Sequence, residues 1–297
     1  MTERKTRLDA VATGTLLACC FIWGLNQVAA KAAMPEMPAL WQAAVRSLGG
    51  ALLVLAWARW RRIALFEHDG TLRAGLLAGG LFAAEFACIF LGLQFTTASR
   101  MVVFIYTAPF FVALAMPLVA ATERLKPAQM LGLSIGFGGV VLAFAEGFSQ
   151  PAAGPLQWLG DALGVAGGAL WAATTLTIRA SRLSTTVPEK TLLYQLAVSG
   201  LALAVAALAS GARWPSAVGL LTVSSMVFQT VVVVFASYLA WFWLVRHYPA
   251  TRLSAFTLLT PVFGLLLGAL LLAEPVTPRL LVALATVAFG LWVVNRR

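Results

Sequence analysis

The chain has 297 residues, of which 61% are hydrophobic and 11% charged, too few charges to wet the surface of a soluble domain of this size. Lys and Arg outnumber Asp and Glu by 21 to 11, giving a formal net charge of +10. That excess could suggest nucleic acid, but the basic residues fall where membrane topology would put them, so no nucleic-acid partner is expected.

Runs long enough to cross a hydrocarbon core of about 30 Å are placed in chain order at residues 8–30, 39–58, 74–95, 101–122 and 128–145. Five more follow at 159–178, 192–209, 218–245, 253–273 and 280–294. A backbone in lipid must satisfy its own hydrogen bonds, and these runs lack the alternation of barrel strands. The expected fold is therefore an all-α integral membrane protein of ten transmembrane helices. With both termini cytoplasmic, most of the basic residues are inside, among them Arg59, Arg61, Arg62, Lys190 and Arg246. Lys31, Arg100, Arg213 and Arg279 are outside, and Arg46 lies within a span, the bias that the positive-inside rule predicts. Arg4, Lys5 and Arg7 precede an apolar run as in a signal peptide, yet the run continues past Ala18-Cys19 without a convincing cleavage site, so it reads as an uncleaved first helix. Cys19, Cys20 and Cys88 are odd in number and sit in apolar runs, which points to packing and away from a metal site or a disulfide framework.

The second half repeats the first. Ala98-Ser99-Arg100 leads to Pro109, Glu123 and Pro127, as Ala250-Thr251-Arg252 leads to Pro261, Glu274 and Pro278. Trp23 and Lys31 pair with Trp171 and Arg179, and Gly139 with Gly290. Five spans cross the bilayer an odd number of times, so a second copy enters from the opposite face. The expectation is one membrane domain of two inverted five-helix repeats, 1–148 and 149–297, joined near Glu146 to Gln157.

Ile22-Trp23-Gly24, residues 121–132 (ATERLKPAQMLG), Gly138-Gly139 and their second-half partners resemble the EamA branch of the drug/metabolite transporter superfamily, over essentially the whole chain. Within that branch the ten-span amino-acid exporters of the YddG type are the most similar. The resemblance implies a multi-pass protein of a bacterial-type inner membrane and supplies the direction of transport, export.

Candidate site residues come from depth and periodicity. Pro109 and Pro261 fall near the middle of the fourth and ninth spans, where each removes a backbone donor and loosens its helix. Both are read as gating hinges, a tolerated kink being the bland alternative. Trp41, Trp57, Trp60, Trp158, Trp214 and Trp292 lie near span ends, as interfacial anchors do. Trp23, Trp171 and Trp241 lie deeper. Asn26 and Gln27 share a helix face with Trp23, and Thr174 and Thr175 with Trp171, so each half offers a ring beside hydrogen-bonding groups. Such surfaces suit an amino acid, although interhelical hydrogen bonding would explain the polar groups equally. Glu85 and Arg46 are charges inside consecutive spans and could form an ion pair; alternatively Glu85 meets a substrate ammonium. Tyr106 lies on the same outer half, and Tyr238 joins Trp241 in the candidate set. Lys31 and Arg179 are explained by snorkelling, and Glu123 and Glu274 by local pairing. Small-residue ridges at Gly75/Gly79, Gly160/Gly164/Gly168 and Gly264/Gly268 point to close helix packing.

Gly132-Leu133-Ser134-Ile135-Gly136 matches a nucleophile-elbow pattern, but a helical context and distant histidines argue against an enzyme. No phosphate-cradling sequence is present, so energy is expected from gradients. The functional expectation is a secondary transporter exporting amino acids, aromatic and bulky apolar ones preferred, by alternating access. Cationic drugs or quaternary amines are the alternative cargo. The partners expected are a small-molecule substrate and the lipid bilayer, with no cofactor, metal or obligatory protein partner.

Overall fold

The computed structural model describes residues 9–119, 127–149, 151–248, 253, 257 and 259–295. Glu123, Arg124, Lys126, Ala250-Thr251-Arg252 and the basic residues Arg4, Lys5, Arg7, Arg296 and Arg297 lie outside these. Among the described residues every regular element is helical. The first half comprises α1 (Ala10–Ala33), α2 (Ala39–Arg61), α3 (Leu72–Gly92), α4 (Ala98–Ile105), α5 (Ala108–Val119) and α6 (Pro127–Ser149). The second comprises α7 (Gln157–Arg179), a 3-10 turn (Arg182–Ser184), α8 (Pro188–Ala209), α9 (Leu220–Val227), a π-helix (Phe228–Ser237), α10 (Tyr238–His247), α11 (Leu259–Leu272) and α12 (Pro278–Asn295). Six helices are long and apolar enough to cross a membrane: Ala10–Ala33, Ala39–Arg61, Leu72–Gly92, Ala98–Ala115, Pro188–Ala209 and Leu220–Leu244. Pro127–Ala143, Leu259–Leu272 and Pro278–Gly290 are shorter apolar helices.

The outer surface is as apolar as the interior. Leu52, Leu77, Leu131, Leu201, Leu208 and Leu270 are all more than half exposed, the reverse of a water-soluble bundle and stable only against lipid. Helices pair across the halves: α6 lies against α12, α3 against α7 and α8, α2 against α8, and α1 against α11. Small residues set the approach. A Cβ on Gly24 would stand 2.8 Å from the backbone nitrogen of Gly264, and one on Gly160 would stand 2.7 Å from the carbonyl of Gly92. These positions admit no side chain, and along the ridges glycine also makes room for neighbouring side chains, the Tyr194 ring at Gly75 and Val102 at Gly264, which is the close packing expected.

Two of the expected spans are not continuous α-helices. The fourth is interrupted at Tyr106 and Thr107, and Pro109 explains where: its ring excludes the carbonyl four residues earlier, that of Ile105, which is where α4 stops. The chain tightens there, Thr107 N–H donating to Phe104 O at 3.1 Å and Phe110 N–H to Thr107 O at 3.0 Å. Pro109 then sits as the second residue of α5, where its missing donor costs nothing. Pro261 is a buried residue of α11, two residues after its first, Leu259; Leu258, in the turn before it, lies outside the described residues. The eighth span changes winding, ten residues of π-helix separating α9 from α10. The sequence carried no signal for this. Runs of π geometry are rare and concentrate at functional sites.

Connections at the two ends are tied by charges. Glu36, between α1 and α2, accepts from Gly219 N–H at 2.7 Å and Thr222 Oγ1 at 2.6 Å, bonds that hold its carboxyl below the usual range and anchor the start of α9. At the opposite end Asp69 accepts from the Thr71 hydroxyl at 2.6 Å and Lys190 Nζ at 2.9 Å. Lys190 also donates to Glu67 O at 2.8 Å, and Arg182 to Asp69 O at 3.1 Å. The loop after α2 is thereby fastened to the start of α8, and the hydroxyl and ammonium depress the Asp69 carboxyl well below its ordinary value.

Candidate functional site

The expected residues gather around two aromatic walls. On one, Trp23 of α1 donates its indole N–H to Ser237 Oγ at 2.8 Å and meets Trp241 edge-on with ring centroids 5.5 Å apart. On the other, Trp171 of α7 meets Tyr106 edge-on at 5.6 Å. Edge-to-face geometry is the favoured arrangement of such rings and fixes both indoles. Tyr106 is itself buried at the break between α4 and α5, within electrostatic reach of Tyr238 and of Cys20 on α1. Backbone approach holds the break against α7: a Cβ on Gly168, one turn before Trp171, would stand 2.5 Å from Thr107 Oγ1 and 2.9 Å from Ile105 O.

On α1, α2 and α3 lie polar atoms with no protein partner. Asn26 Oδ1, Gln27 Oε1, Glu85 Oε2 and the Nε and Nη1 of Arg46 are buried and without a hydrogen-bond partner among the described residues, as are Glu146 Oε1 and Gln229 Oε1 elsewhere. Buried polar atoms are nearly always bonded, so this concentration marks a place where something else supplies the bonds. Thr174 and Thr175 contribute less than their spacing suggests. Each gives its hydroxyl proton to its own helix, at Leu170 O and Trp171 O, both 3.0 Å away, and keeps only its lone pairs for another group.

Arg46 and Glu85 do not pair. They act on each other through space, but no ion pair joins them. Arg46, 1% exposed, lies with its guanidinium carbon 4.4 Å from the Phe86 ring centroid and 5.4 Å from that of Phe90. Among the described residues its one hydrogen bond is a long donation to the Tyr238 hydroxyl at 3.5 Å. Phe86 and Phe90 lie one turn apart on α3 and present their faces where an acidic partner could have been.

The structure also reveals a cluster that spacing alone did not expose. Arg100 at the start of α4 donates Nε to both oxygens of Asp161 at 3.2 Å, Nη2 to Asp161 Oδ2 at 2.6 Å and Nη1 to Glu146 Oε2 at 2.9 Å. It also donates to the Ala143 carbonyl. Thr96 adds its hydroxyl to Asp161 at 2.6 Å, and all three charged side chains are at most 4% exposed. Glu274 caps α4 from the other half, accepting from Ala98 N–H at 2.7 Å, Ser99 N–H at 2.9 Å and the Ser99 hydroxyl at 2.6 Å. The expected local pairing of Glu274 is thus replaced by a contact across the halves, strengthened by the helix dipole. Lys31 does not snorkel; it donates to the carbonyls of Leu93 and Thr96 where α3 ends. One end of the bundle is thus closed by α1, α4, α6 and α7 together. The available signal was Asp161, an acid two residues inside an apolar run.

Ser134 lies within α6 and donates to the Met130 carbonyl at 3.1 Å, which rules out the strand-to-helix elbow that its flanking glycines suggest.

An apolar helical bundle with a lipid-facing surface and a buried, incompletely bonded polar core has the construction of a small-molecule membrane transporter. The EamA-like transporter family matches twice, over residues 12–145 and 158–296, and the chain belongs to that family. It is a multi-pass protein of the plasma membrane. A transporter of Synechocystis sp. is 28% identical, with 99% of this chain and 93% of that one aligned. A probable amino-acid metabolite efflux pump of Salmonella typhimurium is 24% identical over 92% of this chain and 90% of its own. A solved crystal structure shares the fold with a TM-score of 0.67, covering 96% of this chain and 97% of that one at 19% identity.

Proposed function

We propose that the chain exports amino acids, with aromatic and bulky apolar ones preferred, by alternating access between two inverted five-helix repeats whose termini are cytoplasmic. In this reading α4 with α5, and α9 with the π-helix and α10, each form one of ten spans. The observation that carries the proposal is the set of buried unbonded polar atoms on Asn26, Gln27, Arg46 and Glu85, taken with the ring pairs Trp23–Trp241 and Trp171–Tyr106. Rings offer contact for an apolar side chain, and the polar atoms offer bonds for its charged end. The double family match supports the repeat, and the efflux pump among the relatives supports both amino acids and direction.

Pro109 and Pro261 are the bending points. The interruption at Tyr106 and Thr107 puts a flexible joint beside Trp171, so bending α4 against α5 would move a site wall. Glu85 supports the second reading, a cationic drug or quaternary amine, because a buried carboxyl beside rings would serve such cargo. Counterflow into proteoliposomes with phenylalanine, threonine and a tetraphenylphosphonium ion separates the readings. Phenylalanine exchange supports amino acids, phosphonium exchange alone the second, and movement of none overturns both.

A further inference from the structure

Arg46 is the buried group that the protein itself leaves least satisfied. A guanidinium carries five N–H donors and is always charged. Here the Phe86 and Phe90 faces offset part of its desolvation, the Tyr238 oxygen is at the limit of a hydrogen bond, and Nε and Nη1 have no acceptor. Either edge of the planar fork therefore retains an unused donor. The one acid within electrostatic reach, Glu85, stands apart with Oε2 equally unbonded.

We infer that Arg46 is the carboxylate anchor of the transport site and that Glu85 receives the ammonium of the same molecule, so the site selects zwitterions. This rests on the amino-acid reading above and adds its chemical basis. One cation and one anion held apart, with no net charge between them, match a single zwitterion. A phosphate dianion would face the repulsion of Glu85, and a simple cation would face Arg46 while leaving its donors unbonded. Phe86 and Phe90, beside the guanidinium, hold its plane and narrow the approach to a flat acceptor such as a carboxylate, which takes two parallel N–H bonds. Tyr238 follows Ser237, the acceptor of the Trp23 indole, so the anchor adjoins one aromatic wall.

The test is binding to the full-length protein in nanodiscs by four ligands: phenylalanine, phenylalanine amide, 3-phenylpropionate and phenethylamine. Wild type, Arg46→Gln, Arg46→Lys and Glu85→Gln are compared, with size-exclusion profile and thermal midpoint recorded for each. The expected result is that Arg46→Gln weakens phenylalanine by roughly ten- to hundredfold, the usual worth of a charged hydrogen bond. Phenylalanine amide, weak already, changes less than threefold. Arg46→Lys recovers part of the loss, while Glu85→Gln weakens phenylalanine and phenethylamine but spares 3-phenylpropionate. Equal loss of phenylalanine and its amide in Arg46→Gln would overturn the anchor. If phenylalanine fails to bind but 3-phenylpropionate binds in an Arg46-dependent way, the amino-acid reading falls and the carboxylate anchor stands. Absence of binding by either carboxylate overturns the anchor. Should Arg46→Gln be unfolded, the Arg46→Lys comparison of acid with amide decides.

Discussion

Replacing Arg100 by Gln should be the most destabilising polar substitution in the molecule. The side chain neutralises Asp161 and Glu146 together, with the three side chains at most 4% exposed, and its removal leaves two carboxylates in a low-dielectric setting. Breaking a buried ion pair from one side typically costs about 3–5 kcal/mol, most of it the desolvation of what is left behind. At about 2 °C per kcal/mol for a chain of this size, the apparent midpoint should fall by roughly 6–10 °C, read in detergent by thermal shift or by loss of the monodisperse peak on heating. The discriminating variant is Arg100→Gln with Asp161→Asn and Glu146→Gln. Removing all the charges removes the penalty, so the triple variant should regain most of the lost midpoint, with strongly non-additive coupling. A drop below about 1 kcal/mol in Arg100→Gln, or a triple variant no more stable than the single, would refute the view that Arg100 acts by compensating buried acids.

At Gly168 a methyl group would meet Thr107 Oγ1 at 2.5 Å and Ile105 O at 2.9 Å, so Gly168→Ala should cost about 1–3 kcal/mol and slow counterflow; a wild-type midpoint would mean the helix break is not pressed against α7. Trp171→Ala and Glu85→Gln should each reduce phenylalanine exchange at least about tenfold, the loss of one well-made contact; unchanged affinity and turnover in both would remove them from the site. Asp69 titrates below its ordinary carboxylate value, so its tie to Lys190 is fully present above that ordinary value and is lost only as pH falls through the depressed one. Hydrogen-exchange protection in residues 62–71, taken relative to the intrinsic rate at each pH, should therefore be the same at pH 7 and pH 5, and lower at both in Asp69→Asn; loss of wild-type protection between those pH values would contradict the depressed titration. Single cysteines at the exposed positions Pro35→Cys and Thr185→Cys should label from opposite membrane faces, and labelling from one face would end the inverted-repeat reading.

Much of the fold was legible because a lipid environment leaves few options. The run 39–58 became Ala39–Arg61 and 192–209 became Pro188–Ala209, each end within a few residues, since span length follows bilayer thickness. The helix break next to Pro109 was foreseeable in kind but displaced toward the N-terminus, because proline disturbs the turn before it. The π segment of Phe228–Ser237 has no signature in an apolar run. At the site, the aromatic and amide groups on α1 and α7 followed from three- and four-residue spacing, and the edge-on ring pairs gave them partners on other helices. Arg46 and Glu85, charges on consecutive spans, left an ion pair and a substrate contact both open; Phe86, the neighbour of Glu85, takes the guanidinium instead of the pair, a choice made by side-chain direction that spacing does not encode. The Arg100 cluster joins residues 46 and 61 positions apart, a pairing that only the packing of α4, α6 and α7 determines.

Arg100, Lys31 and Thr96 come from the first family match, whereas Asp161 and Glu274 come from the second. Made as separate polypeptides, the second piece would be inserted with Asp161 and Glu274 lacking the α4 donors that answer them, while on the first Arg100 would keep only Glu146 and the Ala143 carbonyl. A continuous chain brings donor and acceptor into the same bilayer patch at translation, before either can be mistaken for damage. The ties from Asp161 and Glu274 to α4 therefore make this end of the bundle a joint product of both family matches, which neither completes alone.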